Sequence, residues 1–446
     1  MARSIHILLR RLALALAVVA AASAPAKAQI EGDVVGGISN PSSIAIPDMP
    51  TPQAVDTPAG NTADLGRQIA LIVEADLRNS GFFNPVARNL LRRVTMPQVT
   101  APDYAGWAQV GAQHLVQGYV QNGSNGRLTV GCYLYDVFAQ SALDRAGYEV
   151  DYGDWRRAAH RCADMVYARL TGEGAYFDSR IVYVAESGPK DNRVRRLAVM
   201  DTDGANHRFL TNGQSIVLTP RYAPDGRTIV YMSYVNDEPR VYIYDVASGS
   251  QRLLVNSPYM TFAPRYSPDS RYVVFSMATN GNTDIYRVPV SGGQPTRLTN
   301  TPGIDTGGSY SPDGRSIVFE SDRSGGQQLY IMNADGSNQR RISFGGGQYA
   351  TPVWSPRGNL IAYTRLGGGF RIGVMRPDGS GERILTNSWQ DEGPSWAPNG
   401  RVIHYFRTPR GDGLPTVWSV DITGRNERRL PTPLGASDPA WSPLID

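Results

Sequence analysis

Cysteine is nearly missing from this 446-residue chain; only Cys132 and Cys162 occur. Two residues cannot make a cysteine-based metal cluster. Histidine is scarce too. Only His114, His160, His207 and His404 follow residue 28, and none has a partner at metal-ligand spacing. Each is read as a surface or packing residue. Gly-x-Ser-x-Gly is absent, and no stretch is left over to build a serine hydrolase domain. The formal charge is only +4, and residues 1–28 hold four basic and no acidic residues, so the remainder is close to neutral. That balance excludes a nucleic-acid footprint, which needs a strong basic excess. No apolar run after residue 28 approaches the length of a membrane span.

Two motifs fall short of the chemistry they suggest. Asp201-Thr202-Asp203-Gly204-Ala205-Asn206 opens like a calcium loop, but Leu210 stands where the loop needs an acid. A hairpin turn accounts for these residue types. The runs Gly345–Gly347 and Gly367–Gly369 have no helix after them and cradle no phosphate.

What the chain does have is a repeat. Arg221-Tyr222-Ala223-Pro224-Asp225-Gly226 returns as Arg265-Tyr266-Ser267-Pro268-Asp269-Ser270 and Ser309-Tyr310-Ser311-Pro312-Asp313-Gly314. Val353-Trp354-Ser355-Pro356, Ser395-Trp396-Ala397-Pro398 and Ala440-Trp441-Ser442-Pro443 continue the series. The aromatic residues are 44, 44, 44, 42 and 45 positions apart. A period in the forties with several short strands per unit predicts a β-propeller. The first strand-like run, Ile181-Val182-Tyr183-Val184, lacks the phrase before it, and the last phrase lacks a strand after it. A ring repairs both ends at once, because the C-terminal strand completes the first blade and no edge is left unpaired. Six blades closed by residues near 438–442 are expected.

Before the repeat, residues 1–28 read as a secretory leader. Arg3, Arg10 and Arg11 precede an apolar stretch from Leu12 to Ala22, and Ala26-Lys27-Ala28 supplies a cleavage site after Ala28. Residues 29–61, rich in proline, read as an extended segment outside any core. Residues 62–175 read as an α/β domain with helices at Thr62–Gly81 and Trp155–Leu170, and strands at His114–Gln121 and Arg127–Phe138. Residues 176–446 are the propeller. An exported chain reaches an oxidising compartment, where Cys132 and Cys162 either bridge or serve as two buried thiols.

In a propeller the first strand of each blade lines the channel, and the loop before it crosses one face. Residues 258–263, 303–307, 348–351, 389–392 and 435–438 should therefore ring the channel mouth, and they differ from blade to blade. Variable loops on a repeated scaffold are where recognition concentrates.

Asp76-Leu77-Arg78-Asn79-Ser80-Gly81 with Phe82-Phe83-Asn84-Pro85, then Leu170-Thr171-Gly172 leading to Arg180-Ile181-Val182-Tyr183-Val184, add a second signature. Together with the Ser-Pro-Asp-Gly phrases and Pro439-Ala440-Trp441-Ser442-Pro443-Leu444, this order resembles the TolB family of Tol-Pal systems over essentially the whole chain past residue 28. The resemblance implies a periplasmic, non-enzymatic, monomeric adaptor without cofactors, active in outer-membrane integrity and in invagination during cell division. It implies binding of the peptidoglycan-associated lipoprotein Pal at the propeller, for which Tyr259, Met260, Thr261, Ala263, Asp305, Thr306, Gly307, Tyr349 and Asp391 are the candidates. It implies contact with TolA through the N-terminal segment, for which Ile30, Glu31, Asp33, Val34 and Val35 are the candidates, as a strand added to a partner's sheet. Glycines 32, 36 and 37 weaken the strand character of that segment. Two other readings stand beside this one: a secreted propeller that binds peptide or glycan, and a hydrolase or lyase with its site in the channel. For the latter, Asp305, Asp391, Glu392 and Asp438 are the acidic candidates at the mouth, and no histidine joins them.

Overall fold

Six sheets of four antiparallel strands each follow one another along the chain from Ser179 to Leu444. Blade 2 begins with the inner strand Val217–Tyr222, blade 3 with Thr261–Tyr266, blade 4 with Asp305–Tyr310, blade 5 with Gln348–Trp354 and blade 6 with Asp391–Trp396. Blade 1 takes its inner strand, Gly435–Leu444, from the end of the chain. That strand pairs with Ser179–Ser187, setting Ala436 opposite Ala185 and Trp441 opposite Ile181. This is the six-bladed, C-terminally closed propeller expected from the matching counts at the two ends. The computed structural model describes residues 40–123 and 125–445. The expected leader, its cleavage after Ala28, and Ile30, Glu31, Asp33, Val34 and Val35 lie outside the described residues.

The recurring Ser-Pro-Asp-Gly phrase is a turn. In blade 4 the Ser311 hydroxyl donates to Asp313 at 2.5 Å and accepts from the Ser316 amide at 2.9 Å, while Asp313 accepts from the Arg315 amide at 3.1 Å. Gly314 closes the turn at φ 71°, a conformation that costs glycine nothing. The second strands, such as Ser316–Ser321, bury nearly every residue because each blade packs between two others.

The N-terminal domain is a five-stranded sheet in the order Phe83–Pro85, Ser42–Ala45, His114–Asn122, Leu128–Asp136, Ser141–Val150. The helices Thr62–Asn79 and Trp155–Thr171 share one apolar cluster with it. Cys132 on the fourth strand is bonded to Cys162 on the second helix, joining sheet to helix across a 30-residue separation and contributing about 3 kcal/mol. One expectation is corrected. Residues 29–61 were read as lying outside any core, yet Ser42–Ala45 is inserted between two strands of the sheet, with Ile44 and Ala45 wholly buried. Pro41 and Pro47 bound this short strand without breaking it, as proline does at strand ends. Asn61, one residue before the expected cap, accepts from the Ala63 amide at the head of the first helix. Both parts belong to one compact unit, residues 38–446.

Candidate functional site

The propeller mouth is built from a local irregularity repeated in every blade. Each inner strand carries a bulge, and the residue in it has a left-handed backbone: Thr219 (φ 49°), Ala263 (50°), Gly307 (69°), Thr351 (48°), Gly393 (65°) and Asp438 (49°). Four of the six are not glycine, and each such residue costs about 1 kcal/mol or more. Acceptors from a neighbouring blade hold several of the strained amides. Thr351 donates to Glu320 at 2.6 Å, Thr219 to Asp438 at 3.1 Å and Gly307 to the Ser276 hydroxyl at 3.3 Å. Glu320 also accepts from the Thr306 hydroxyl at 2.6 Å. Burial pushes the carboxyls of Glu320 and Asp438 above their usual range, against the pull of these hydrogen bonds and of Arg265 and Arg221 respectively. Burial likewise lowers Arg265, with Arg221 adding repulsion. The channel wall thus brings acidic and basic side chains together.

On the rim above the bulges, three adjacent blades place an aliphatic or thioether side chain in the same slot. Ile216, Met260 and Ile304 each accept a backbone hydrogen bond from the second strand (from Tyr234, Ala278 and Asp322) and remain 41%, 38% and 50% exposed. Tyr259 extends this arc. Blades 5 and 6 have Gln348 and Gln390 there. The slot is therefore apolar in blades 2 to 4 and polar in blades 5 and 6, where Trp389, in the position of Tyr259, is 50% exposed.

The nine expected mouth residues separate into two sets. Tyr259 and Met260 are exposed, and Ala263 and Gly307 are half-buried at bulge positions. The other five are buried side chains engaged with partners inside the propeller. Thr261, Asp305, Tyr349 and Asp391 are fully buried. Thr261 accepts from the Val241 amide, Asp305 pairs with Arg323 at 2.7 Å, Tyr349 donates to Glu382 at 2.9 Å, and Asp391 holds Arg407 through two contacts at 2.7 and 3.0 Å. Thr306 is nearly buried, its hydroxyl committed to Glu320. The reason is strand alternation: the residue after each rim slot (Thr261, Asp305, Tyr349 and Asp391) turns into the space between blades, and only the slot residue before it reaches the rim. Ile304 falls within the expected mouth loop 303–307, whereas Ile216 lies in none of the expected loops, although its place before the repeat could have found it.

A second constellation lies where the N-terminal domain meets blades 6 and 1. His160 Nδ1 lies 2.7 Å from Asp76, and its Nε2 faces Asp203 of the propeller at 3.9 Å. Burial alone would lower the His160 pKa; Asp76, then Asp203 and Asp201, outweigh it and hold it up at about 9. Burial pushes Asp76 itself upward, with His160 pulling the other way. Arg156 pairs with Asp203, and Glu173 holds both Arg357 and Arg401. The Asp76–Gly81 block lies along this seam: Asn426 donates to the Asn79 carbonyl at 2.7 Å, and Gly81 (φ 78°) packs beneath the Asn426 side chain.

These features define a class: an α/β domain fixed by a polar seam to a closed six-bladed propeller with a lopsided rim. The TolB amino-terminal domain family matches residues 30–143 and the TolB beta propeller domain family residues 167–445. A Tol-Pal system protein TolB of Rhizorhabdus wittichii is 67% identical over 435 residues, covering 98% of this chain and 99% of the relative. That of Zymomonas mobilis is 65% identical over 413 residues, with 93% and 90% covered. The crystal structure of TolB from Acinetobacter baumannii superposes with a TM-score of 0.79 at 28% identity, over 91% of this chain and 97% of that one. The chain belongs to the TolB family. It is thereby a Tol-Pal system protein and not an enzyme.

Proposed function

We propose that this chain is a periplasmic adaptor that binds a peptidoglycan-associated lipoprotein, Pal, at the propeller mouth and a TolA protein through the segment containing Ile30, Glu31, Asp33, Val34 and Val35, and so supports outer-membrane integrity and invagination at division. The observation that carries the mouth assignment is the apolar arc of Ile216, Tyr259, Met260 and Ile304 above the charged channel wall. Exposed apolar groups gathered beside a concave, charged opening are the makings of an interface core. The disulfide fits an oxidising compartment. Family membership supplies the system in which the partners are sought.

The test is calorimetric titration of the purified chain with a soluble, lipid-free Pal domain. The double variant M260E/I304E should weaken binding by about 10–100-fold and leave the melting temperature unchanged, because both side chains are solvent-facing. Undiminished affinity in that variant would remove the mouth from the interface. Removing residues 29–40 should abolish TolA capture and leave the protein folded.

A further inference from the structure

The Asp201–Asn206 turn is explained by its backbone and by the Asn206 amide, which donates to Asp201 Oδ2 at 2.6 Å, but the approach of its carboxylates to His160 is not. Gly204 donates to the Asp201 carbonyl and Asp201 to the Ala205 carbonyl, both at 2.9 Å, and Asp203 Oδ1 caps the Ala205 amide at 3.0 Å. A hairpin needs no more. Asp203 Oδ2 faces a buried imidazole from the other domain at 3.9 Å, and Asp201, which also meets Arg180 at 3.6 Å, stands beside it. His160 is 2% exposed, and its Nε2 has no hydrogen-bond partner. His160 Nε2 and one oxygen each from Asp201 and Asp203 lie within 4.8 Å of one another.

Three properties make this a ligand set. The donors are one imidazole and two carboxylates, the mixture that suits a borderline divalent ion. The ring nitrogen away from the cluster is bound by Asp76 at 2.7 Å, the carboxylate–histidine arrangement that orients a metal-ligating imidazole and raises its basicity. Asp203 keeps 17% of its side chain exposed, which gives an entry path from solvent. Donors around a tetrahedral ion at 2.0 Å stand roughly 3.3 Å apart. The 3.9 Å from His160 Nε2 to Asp203 and the spacings of up to 4.8 Å within the set therefore close by roughly 0.6 to 1.5 Å when the ion enters.

We propose that the seam between the two domains is a binding site for one divalent ion of the zinc class, ligated by His160 Nε2, Asp203 and Asp201 with Asp76 orienting the imidazole. Arg156 is the built-in competitor at Asp203, as Asn206 and Arg180 are at Asp201. It pairs with Asp203 and approaches Asp201 at 4.0 Å, so it must swing aside when the metal enters. His160 binds as the neutral imidazole, its Nε2 proton passing to solvent. Since the ligands come from both domains, the bound ion would cross-link them.

The full chain, stripped with EDTA and dialysed at pH 8, is titrated with Zn²⁺ by calorimetry and with Co²⁺ by visible absorption. One equivalent of Zn²⁺ should bind, with Co²⁺ giving intense d–d bands between about 500 and 650 nm, as expected for a tetrahedral N/O site. His160→Gln should lose the Co²⁺ bands and weaken Zn²⁺ at least tenfold. Arg156→Gln separates a metal site from a mere ion-pair latch: with every ligand retained and the competing cation removed, Zn²⁺ should bind about tenfold more tightly. A far-ultraviolet spectrum and melting curve confirm that each variant is folded. No stoichiometric binding below 0.1 mM (roughly the weakest that would hold as a specific site), or binding indifferent to both substitutions, overturns the proposal. Pal titrations on the same samples keep its failure distinct from failure of the mouth assignment.

Discussion

The mouth and the seam are made from the same repeated scaffold by opposite means. At the mouth, backbone strain is repeated in all six blades while the side chains above it change: Ile216, Met260 and Ile304 on one side, Gln348 and Gln390 on the other. At the seam, the backbone of the turns is ordinary and the side chains are unusual, with His160, Asp76 and Asp201 buried and Arg401 only 7% exposed. A surface that must meet another molecule keeps its apolar groups uncovered and its frame rigid. A surface that must hold two domains of one chain puts charge where water is excluded and satisfies it internally. Removing one partner from the seam should therefore cost stability, whereas removing a side chain from the rim should cost binding alone.

The largest effect is expected at Trp441, where blade closure meets the seam. It lies on the closing strand, stacks on His404 at 3.7 Å, donates to Ser179 at 2.6 Å and packs against Tyr176 of the neck between domains at 5.9 Å. Trp441→Ala should cost about 3–5 kcal/mol and split one unfolding transition into two, measured by calorimetric scanning. A single transition shifted by less than 1 kcal/mol (roughly an ordinary surface substitution) would show that blade closure and domain docking are independent.

The next effect tests the charge of the seam in EDTA-treated protein. The His160 pKa is raised from 6.5 when unfolded to about 9 when folded. Its stabilising contribution is thus complete below pH 6.5 and disappears as the pH rises through 9, a loss of roughly 3 kcal/mol. Urea midpoints between pH 6.5 and 9.5 should fall accordingly, and His160→Gln should flatten the profile. The rim variant M260E/I304E should reproduce the wild-type profile, since neither side chain touches the seam.

How much of this was visible in the sequence depends on whether a feature repeats. Blade number and closure were legible because the Tyr/Trp phrase occurs six times and the unmatched strand at Ile181 pairs with the phrase at Trp441. The bulges were not legible: Thr219, Ala263, Thr351 and Asp438 are not of one residue type, and a left-handed conformation at Thr or Ala is imposed by the closed ring and not by local preference. The burial of Asp305 and Asp391 was missed for a related reason. Their arginine partners stand 18 and 16 residues on, Arg323 just past the end of the neighbouring strand and Arg407 on it, and only the folded register brings them together. The seam was half legible. Asp76-Leu77-Arg78-Asn79-Ser80-Gly81 stood out as a block, but its partners Asn426, His160 and Asp203 are far away in sequence.

The smallest effects give the sharpest contrast, because they exchange alanine and glycine in opposite directions. At the seam, a methyl group on Gly81 would sit 2.9 Å from the Asn426 side chain on a backbone at φ 78°. Gly81→Ala should therefore destabilise by about 1–2 kcal/mol, from strain and from displacement of the amide that bonds Asn79. At the mouth, Ala263 already bears that strain at φ 50°. Ala263→Gly relieves about 1–2 kcal/mol of it and gives back roughly 1 kcal/mol in unfolded-chain entropy. A net gain of about 0.5 kcal/mol remains. If the strain serves to hold the rim in its binding shape, Ala263→Gly should also bind Pal more weakly while melting slightly higher. A variant that melts higher and binds as tightly as wild type would mean that the bulges only close the ring, and that recognition rests on the apolar arc above them.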